Sequence, residues 1–282
     1  MVSSKPELDE LVALALREDL GRGGVDVTTQ SIVDPELNGE AVILAKQAGV
    51  LSGAEVAARV FELVRPPCAY GPILADGARL DAGAEVARIS GPLASLLTAE
   101  RTALNFLQRL SGIATVTRRY ADALAPYPNV TLLDTRKTTP GLRLLERAAV
   151  RAGGGHNHRD GLWDAILIKD NHVAAAGGVR PAIERARRSG LPIEVEVENL
   201  EQLKEALRAG AEIVLLDNMS AEELRRAVDV TAGRARLEAS GGMTLEGAVA
   251  AAKTGVDRIS VGALTHSAAA LDLSLEVTRT WR

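Results

Sequence analysis

The second half of the chain repeats one pattern of apolar and polar positions. Short, mostly apolar runs at 130–134, 164–169, 193–198, 213–217, 236–240 and 258–262 have strand length. Segments of helical spacing, such as 200–209 and 221–230, lie between most of them. The last four runs begin about every 20 residues, which is the length of one strand, loop and helix, so the pattern predicts a parallel sheet closing toward a barrel.

The first half has a different texture. Leu8, Leu11, Val12, Ala15 and Leu16 share one face of a predicted helix. Residues 40–46 read as a strand, and 53–64 as a helix ended by Pro66 and Pro67. Residues 71–91 read as short β pieces punctuated by glycine turns. That stretch faintly resembles a lipoyl or biotinyl carrier, but it lacks the lysine such a carrier displays at a hairpin tip. A helical stretch follows from Pro92 to about Leu124, with an interruption expected near Ser111 and Gly112.

Composition narrows the function classes. With 46% hydrophobic and 25% charged residues the chain is globular in type. Aromatics are only 2%, so the core is built from Ala, Val, Leu and Ile, and no stacking platform for single-stranded nucleic acid is present. A net charge of −4 gives no general attraction to nucleic acid. Cys68 is the one cysteine, which excludes an internal disulfide and a cysteine-based zinc cluster and marks it as structural. Residues 1–10 carry acids where a signal peptide is apolar, and no run approaches the roughly 20 apolar residues of a membrane span, so a cytoplasmic protein is expected.

Polar residues recur at one place in the repeat. Asp134, Lys169, Glu198, Asp217 and Ser240 each fall at the C-terminal end of a strand. Those ends share one face of a βα barrel, so residues distant in sequence converge there. Arg136, Lys137, His158, Arg159 and Lys169 bring cationic groups to that face in a chain that is acidic overall. Arginine forks match carboxylates and phosphates, so a small, multiply anionic ligand is expected. Glu198 and Asp217 offer hard oxygen ligands for Mg²⁺ or for ribose hydroxyls. Glu194 and Glu196 share strand parity with Glu198, so all three could face the lumen. Ser240-Gly241-Gly242 and Val261-Gly262-Ala263 follow the last two strands, where backbone N–H groups commonly meet a phosphate. His156 and His158 have zinc-compatible spacing but no third ligand, and Lys169 could instead be a Schiff-base lysine.

Several motifs then converge on one family. Residues 98–105 (TAERTALN), 111–115 (SGIAT), 134–138 (DTRKT), 153–159 (GGGHNHR), 167–172 (LIKDNH), 215–218 (LLDN) and 261–266 (VGALTH) resemble quinolinate phosphoribosyltransferases. The likeness runs from Glu18 to His266. It implies an N-terminal α/β sandwich over residues 1–108, an open α/β barrel over 109–266, and a tail, 267–282, returning to the first domain. It implies conversion of quinolinate and phosphoribosyl pyrophosphate to nicotinate mononucleotide, pyrophosphate and CO₂, with Mg²⁺, in NAD biosynthesis. Thr135, Arg136, His158, Arg159 and Lys169 would hold quinolinate, helped by Arg101 from the partner subunit of a homodimer, itself able to form a hexamer. Lys137, Glu198 and Asp217 would handle phosphoribosyl pyrophosphate and its magnesium. Ser240, Gly241, Gly242, Val261, Gly262, Ala263 and His266 would cradle phosphate. One departure is an expanded loop at residues 21–29. Rival readings are a transferase for nicotinate, a Schiff-base lyase, and a silent ligand-binding relative.

Overall fold

The computed structural model describes residues 5–282. In chain order the elements are α1 (Lys5–Leu20), α2 (Val27–Ile32), β1 (Asn38–Ala45), β2 (Gly49–Val50), α3 (Ala54–Leu63), β3 (Ala69–Pro72), β4 (Arg79–Leu80), β5 (Glu85–Pro92) and α4 (Leu93–Leu124). Next come β6 (Thr131–Leu133), α5 (Arg143–Ala152), β7 (Ile166–Ile168), α6 (Asp170–Ala176), α7 (Val179–Ala186), β8 (Ile193–Val197), α8 (Leu200–Arg208), β9 (Ile213–Asp217), α9 (Ala221–Thr231), β10 (Arg236–Ser240), α10 (Leu245–Ala252), β11 (Arg258–Ser260), α11 (Ala263–His266) and β12 (Leu273–Trp281). Two compact units result. One comprises residues up to 118, 139–154 and 268–282; the other comprises 119–138 and 155–267.

The first unit is built on an antiparallel sheet of order β12-β1-β5-β3. The C-terminal strand β12 pairs with β1 from Asn38↔Trp281 to Ala45↔Leu273. Ile43, Ile89, Phe61, Leu96, Leu104 and Leu107 are fully buried here, an aliphatic core with little aromatic content, as the composition required. In the expanded loop, Gly21 and Gly24 take positive φ (65° and 64°). The chain then enters α2 with Asp26 as its cap, accepting from the Thr29 N–H at 3.0 Å. Cys68 is buried, and burial pushes its thiol up to about 11, the environment of an inert structural cysteine.

One expectation needs correction. Helix α4 runs without a break through Ser111 and Gly112. Ser111 Oγ accepts from the Ser52 N–H (3.0 Å) and donates to the Ser52 carbonyl (3.2 Å). At Gly112 a Cβ would lie 2.0 Å from the Ala269 carbonyl oxygen, so the glycine permits a close backbone approach and does not end the helix. The boundary expected at 108/109 therefore falls inside a continuous helix. Residues 109–118 stay with the first unit, as do 139–154, because Arg109 pairs with buried Glu146 at 2.8 Å. A Cβ at Gly153 would lie 2.5 Å from the Ala114 carbonyl, so these segments pack backbone to helix.

The second unit holds six parallel strands in the order β6-β11-β10-β9-β8-β7. Among the described residues β6 and β7 do not pair with each other; His156 adds a single parallel bridge to Leu133, so the barrel is open. Capping residues start the intervening helices where the sequence supplies them. Asn199 accepts from the Gln202 N–H before α8, Ser220 forms a capping box with Glu223 before α9, and Thr244 accepts from the Gly247 N–H before α10. Among the described residues no helix is long and apolar enough to cross a membrane.

Candidate active site

A cavity of about 890 Å³ opens in the second unit at the C-terminal ends of these strands. Thr135, Arg136 and Lys137 reach it after β6, Lys169 after β7, Asp217 and Asn218 from β9, and Ser240 to Leu245 after β10. Gly262, Ala263 and His266 close the lining after β11. A cavity of about 950 Å³ in the first unit brings only Arg17 and Arg65 beside Asp9, Glu10 and Asp26, fewer cations than the four Arg and Lys residues with His158 and His266 here, so the chemistry points to the second unit.

The cations are crowded. Arg159 donates through Nη1 to the Ala165 carbonyl at 3.1 Å. Burial, and then the charge of Arg136, pull its guanidinium below the ordinary arginine value. The Arg136 Nε is buried with no hydrogen-bond partner among the described residues. Two guanidiniums that repel each other, one with an orphaned donor, gain from a ligand that brings negative charge and paired acceptors. Lys169 Nζ adds a third positive group, 3.2 Å from Glu196 Oε2. It is half-exposed and ion-paired, which is not the desolvated amine of a Schiff-base lysine.

The phosphate-side loops are shaped by glycine. Gly241 and Gly242 take φ of 99° and 47°, in the left-handed region that side chains rarely adopt. A Cβ on Gly241 would sit 2.2 Å from Asn218 Oδ1, and one on Gly262 would sit 3.2 Å from Lys137 Cδ and 3.1 Å from His266 Nε2. Lys137 is steadied by its backbone: its N–H donates to Thr135 Oγ1 (3.1 Å) and its carbonyl accepts from Thr265 Oγ1 (2.8 Å).

Beneath the cations lies a buried triad. His158 Nε2 is 2.9 Å from Glu194 Oε2 and 3.4 Å from Glu238 Oε1. His158 Nδ1 accepts from the Arg159 N–H at 2.8 Å. Both ring nitrogens are thus engaged by the protein. Asp134, at the end of β6, is fully buried and pins the same loop, accepting from Asn157 Nδ2 (2.6 Å) and the His158 N–H (2.7 Å).

Comparison with known proteins gives the arrangement its context. The family model described as "Quinolinate phosphoribosyl transferase, N-terminal domain" matches residues 26–111, and that of the C-terminal domain matches residues 113–276. The chain belongs to the quinolinate phosphoribosyltransferase family. It is 46% identical over 275 residues to the probable nicotinate-nucleotide pyrophosphorylase (carboxylating) of Bacillus subtilis, covering 96% of this chain and 94% of that one. The carboxylating enzyme of Mycobacterium leprae is 44% identical, over 95% of this chain and 96% of its own. Among solved structures, the nicotinate-nucleotide pyrophosphorylase of Francisella tularensis superposes with a TM-score of 0.92 at 42% identity, covering 98% of both chains. That of Ehrlichia chaffeensis gives 0.92 at 37%, covering 99% of this chain and 100% of its own. Human nicotinic acid phosphoribosyltransferase shares the fold alone, with a TM-score of 0.64 at 14% identity over 91% of this chain and 74% of its own.

Within this quinolinate phosphoribosyltransferase, the cavity gathers Thr135, Arg136, Lys137, His158, Arg159, Lys169, Asp217, Ser240, Gly241, Gly242, Gly262, Ala263 and His266. Three expected residues lie elsewhere. Val261 is fully buried and outside the lining. Arg101 is exposed on α4 in the first unit. Glu198 is also exposed, because β8 ends at Val197 and the chain turns there to the Asn199 cap, the Glu198 N–H going to Gln202 Oε1. Glu196, on the same strand, lines the cavity. Glu238, Tyr120, Asn218 and Thr244 also line the cavity without having been singled out. Glu238 had a signal in the sequence, as an acid between the apolar Leu237 and Ala239, two residues before Ser240. His156 and His158 do not share a cluster: His156 is exposed, whereas His158 meets Glu194 and Glu238.

Proposed function

We propose that this chain transfers the phosphoribosyl group of phosphoribosyl pyrophosphate to quinolinate, with loss of CO₂, giving nicotinate mononucleotide for NAD biosynthesis. The observation that carries this reading is the crowded Arg136–Arg159 pair with Lys169 on the same cavity wall. Three cations exceed the need of a monocarboxylate and match a pyridine dicarboxylate. The Gly241–Gly242 turn and the Gly262 loop leave room for the 5′-phosphate, with Lys137 beside the diphosphate.

Asp217 lines the cavity at the end of β9, its Oδ2 taken by Asn218 Nδ2 at 2.7 Å. A carboxylate of this kind fits Mg²⁺ shared with substrate phosphates and water. Bound there, the ion would supply positive charge to the leaving diphosphate. As pyrophosphate departs, positive charge on the ribose is stabilised by the carboxylates of Glu196 and Asp217. Arg136 and Arg159 hold the pyridine ring so that its nitrogen meets the ribose carbon. The new ring nitrogen is cationic and draws electrons from the adjacent carboxylate, which leaves as CO₂. The working form is a homodimer in the cytoplasm, with Arg101 contributed by the partner subunit.

The test is incubation with phosphoribosyl pyrophosphate and Mg²⁺ plus either quinolinate or nicotinate, measuring nucleotide and CO₂. Nucleotide with matching CO₂ from quinolinate alone supports the assignment. Nucleotide from nicotinate without CO₂ overturns the substrate and keeps the phosphate site. No product from either acid overturns the transferase reading.

A further inference from the structure

His158 lines the substrate cavity, yet both of its ring nitrogens are turned to the protein. Nε2 lies 2.9 Å from Glu194 Oε2 and 3.4 Å from Glu238 Oε1, and Nδ1 accepts from the Arg159 N–H at 2.8 Å. A nitrogen that accepts an amide N–H holds a lone pair, so the ring hydrogen is on Nε2 and is directed at the two acids. Burial opposes charge on the ring, while Glu194 and Glu238 draw a second proton to it and pull it up to about 10. That proton could sit only on Nδ1, against the Arg159 N–H, and the short amide contact decides for a ring with one hydrogen.

Glu194 sits outside the lining of the substrate cavity. It lines instead a cavity of about 560 Å³ at the starts of the barrel strands, with Ile166, Ile193, Ile213, Arg236 and Arg258. Glu194 is 5% exposed and Glu238 is fully buried. Glu194 Oε1 and both carboxyl oxygens of Glu238 have no hydrogen-bond partner among the described residues. A buried carboxylate this short of donors loses much if the His158 Nε2–H turns away, so the acids fix the orientation of the ring.

The ring in turn fixes backbone. The Arg159 N–H is taken by His158 Nδ1, and the His158 N–H is taken by Asp134 Oδ1 at 2.7 Å. Arg159 leaves this pinned segment to reach the cavity, donating to the Ala165 carbonyl at 3.1 Å, and it stands against the charge of Arg136. Two like charges stay together before a substrate arrives only if their supports are rigid.

Resting on the quinolinate reading of the cavity, we propose that Glu194, with Glu238, is a positioning residue for quinolinate binding. It holds the His158 ring, and the ring sets the backbone from which Arg159 reaches the substrate. His158 therefore works through Arg159 and gives no ring hydrogen bond to the ligand. Quinolinate affinity depends on an acid that never touches quinolinate, whereas the phosphate loops after β10 and β11 do not share this support.

The experiment titrates quinolinate and, separately, phosphoribosyl pyrophosphate with Mg²⁺ into the full-length enzyme by calorimetry, for wild type, Glu194→Ala and Glu194→Gln. Melting curves confirm that each variant folds. Glu194→Ala should weaken quinolinate binding about tenfold and change phosphoribosyl pyrophosphate binding by less than about twofold. Glutamine keeps an acceptor oxygen for the His158 Nε2–H, so Glu194→Gln should recover most of the lost affinity. Equal weakening of both ligands, no weakening of either, or no recovery with glutamine overturns the positioning role. Where Glu194→Ala does not fold, nitrogen NMR of wild type with isotope-labelled histidine decides, a His158→Gln sample assigning the ring among the four histidines. Nδ1 should read as a lone-pair nitrogen and Nε2 as protonated, before and after quinolinate is added. A doubly protonated ring, or a proton gained on Nδ1 with quinolinate, would overturn the proposal. Failure of wild type to bind quinolinate would instead sink the substrate reading, while the spectrum of the ligand-free enzyme would still test the contact between His158 and Arg159.

Discussion

Lys169 and Glu196 face each other at 3.2 Å across the ends of β7 and β8, while Glu198, two residues further on, is exposed and outside the cavity lining. The alternation that puts Glu194 and Glu196 on the lumen stops when the strand does. Glu196→Gln is therefore expected to lower kcat/KM by about a hundredfold, roughly 2.7 kcal/mol of transition-state stabilisation. Glu198→Gln is expected to stay within about twofold of wild type, in the range of surface substitutions. Steady-state kinetics on both variants decide it; equal losses would mean that Glu198 enters the site when substrate binds.

The Arg136–Arg159 pair predicts a split in substrate dependence. Removing one guanidinium deletes a charge-assisted contact of about 1.5–3 kcal/mol, so Arg136→Ala or Arg159→Ala should raise the KM for quinolinate roughly 10- to 100-fold. The KM for phosphoribosyl pyrophosphate should change by less than about threefold in the same variants. Equal effects on both substrates would place the pair at the phosphates.

Much of this architecture is legible from the chain. The apolar runs placed all six barrel strands within two residues, because a buried parallel strand needs continuous apolar sequence whatever its neighbours. The cations were legible too, since Arg136, His158, Arg159 and Lys169 sit in loops beside those runs. What escaped was set by tertiary contact. Nothing local shows that Gly112 is required by the backbone of Ala269, so Ser111-Gly112 reads as a break. Nothing local shows that Asp134 spends its carboxylate on Asn157 and the His158 amide, or that Glu194 and Glu238 meet across the barrel. Glu198 falls one residue past the end of β8, for which the Asn199 cap was the available signal.

Gly241 offers a test of the phosphate loop. With φ at 99° and Asn218 Oδ1 2.2 Å from a would-be Cβ, Gly241→Ala must shift the turn. The expected result is a rise of about tenfold or more in the KM for phosphoribosyl pyrophosphate, with quinolinate binding measured by calorimetry unchanged. Gly242→Ala, whose Cβ would meet nothing within 4 Å, carries only the backbone strain and should be milder. A Gly241→Ala enzyme with wild-type KM would remove the loop from the phosphate site.

In the first unit, Glu146 is fully buried and accepts from Arg109 Nη2 (2.8 Å), Thr139 Oγ1 (2.8 Å) and the Thr139 N–H (3.1 Å). Deleting the carboxylate removes the buried acceptor of these bonds, and of a further one from Arg109 Nε at 3.1 Å. Glu146→Ala is expected to cost about 3–5 kcal/mol of stability, read from urea midpoints at constant slope. A loss below about 1 kcal/mol would show that water replaces the carboxylate at no great cost.

Arg101 carries the proposed dimer. On α4, Leu96, Ala99, Ala103, Leu104 and Leu107 are buried in the first unit, and Arg101 lies exposed on the other side of the helix. An exposed arginine pairs with little in its own chain, whereas a partner subunit's dicarboxylate site would use its charge. If Arg101 acts across the dimer, Arg101→Ala and Lys137→Ala homodimers are each inactive, but a mixed dimer retains one intact site. Co-expressed, differently tagged chains purified through both tags should recover about a quarter to a half of wild-type activity, since one of two sites is whole. Mixed dimers as inactive as their parents would place Arg101 and Lys137 in the same site of one chain.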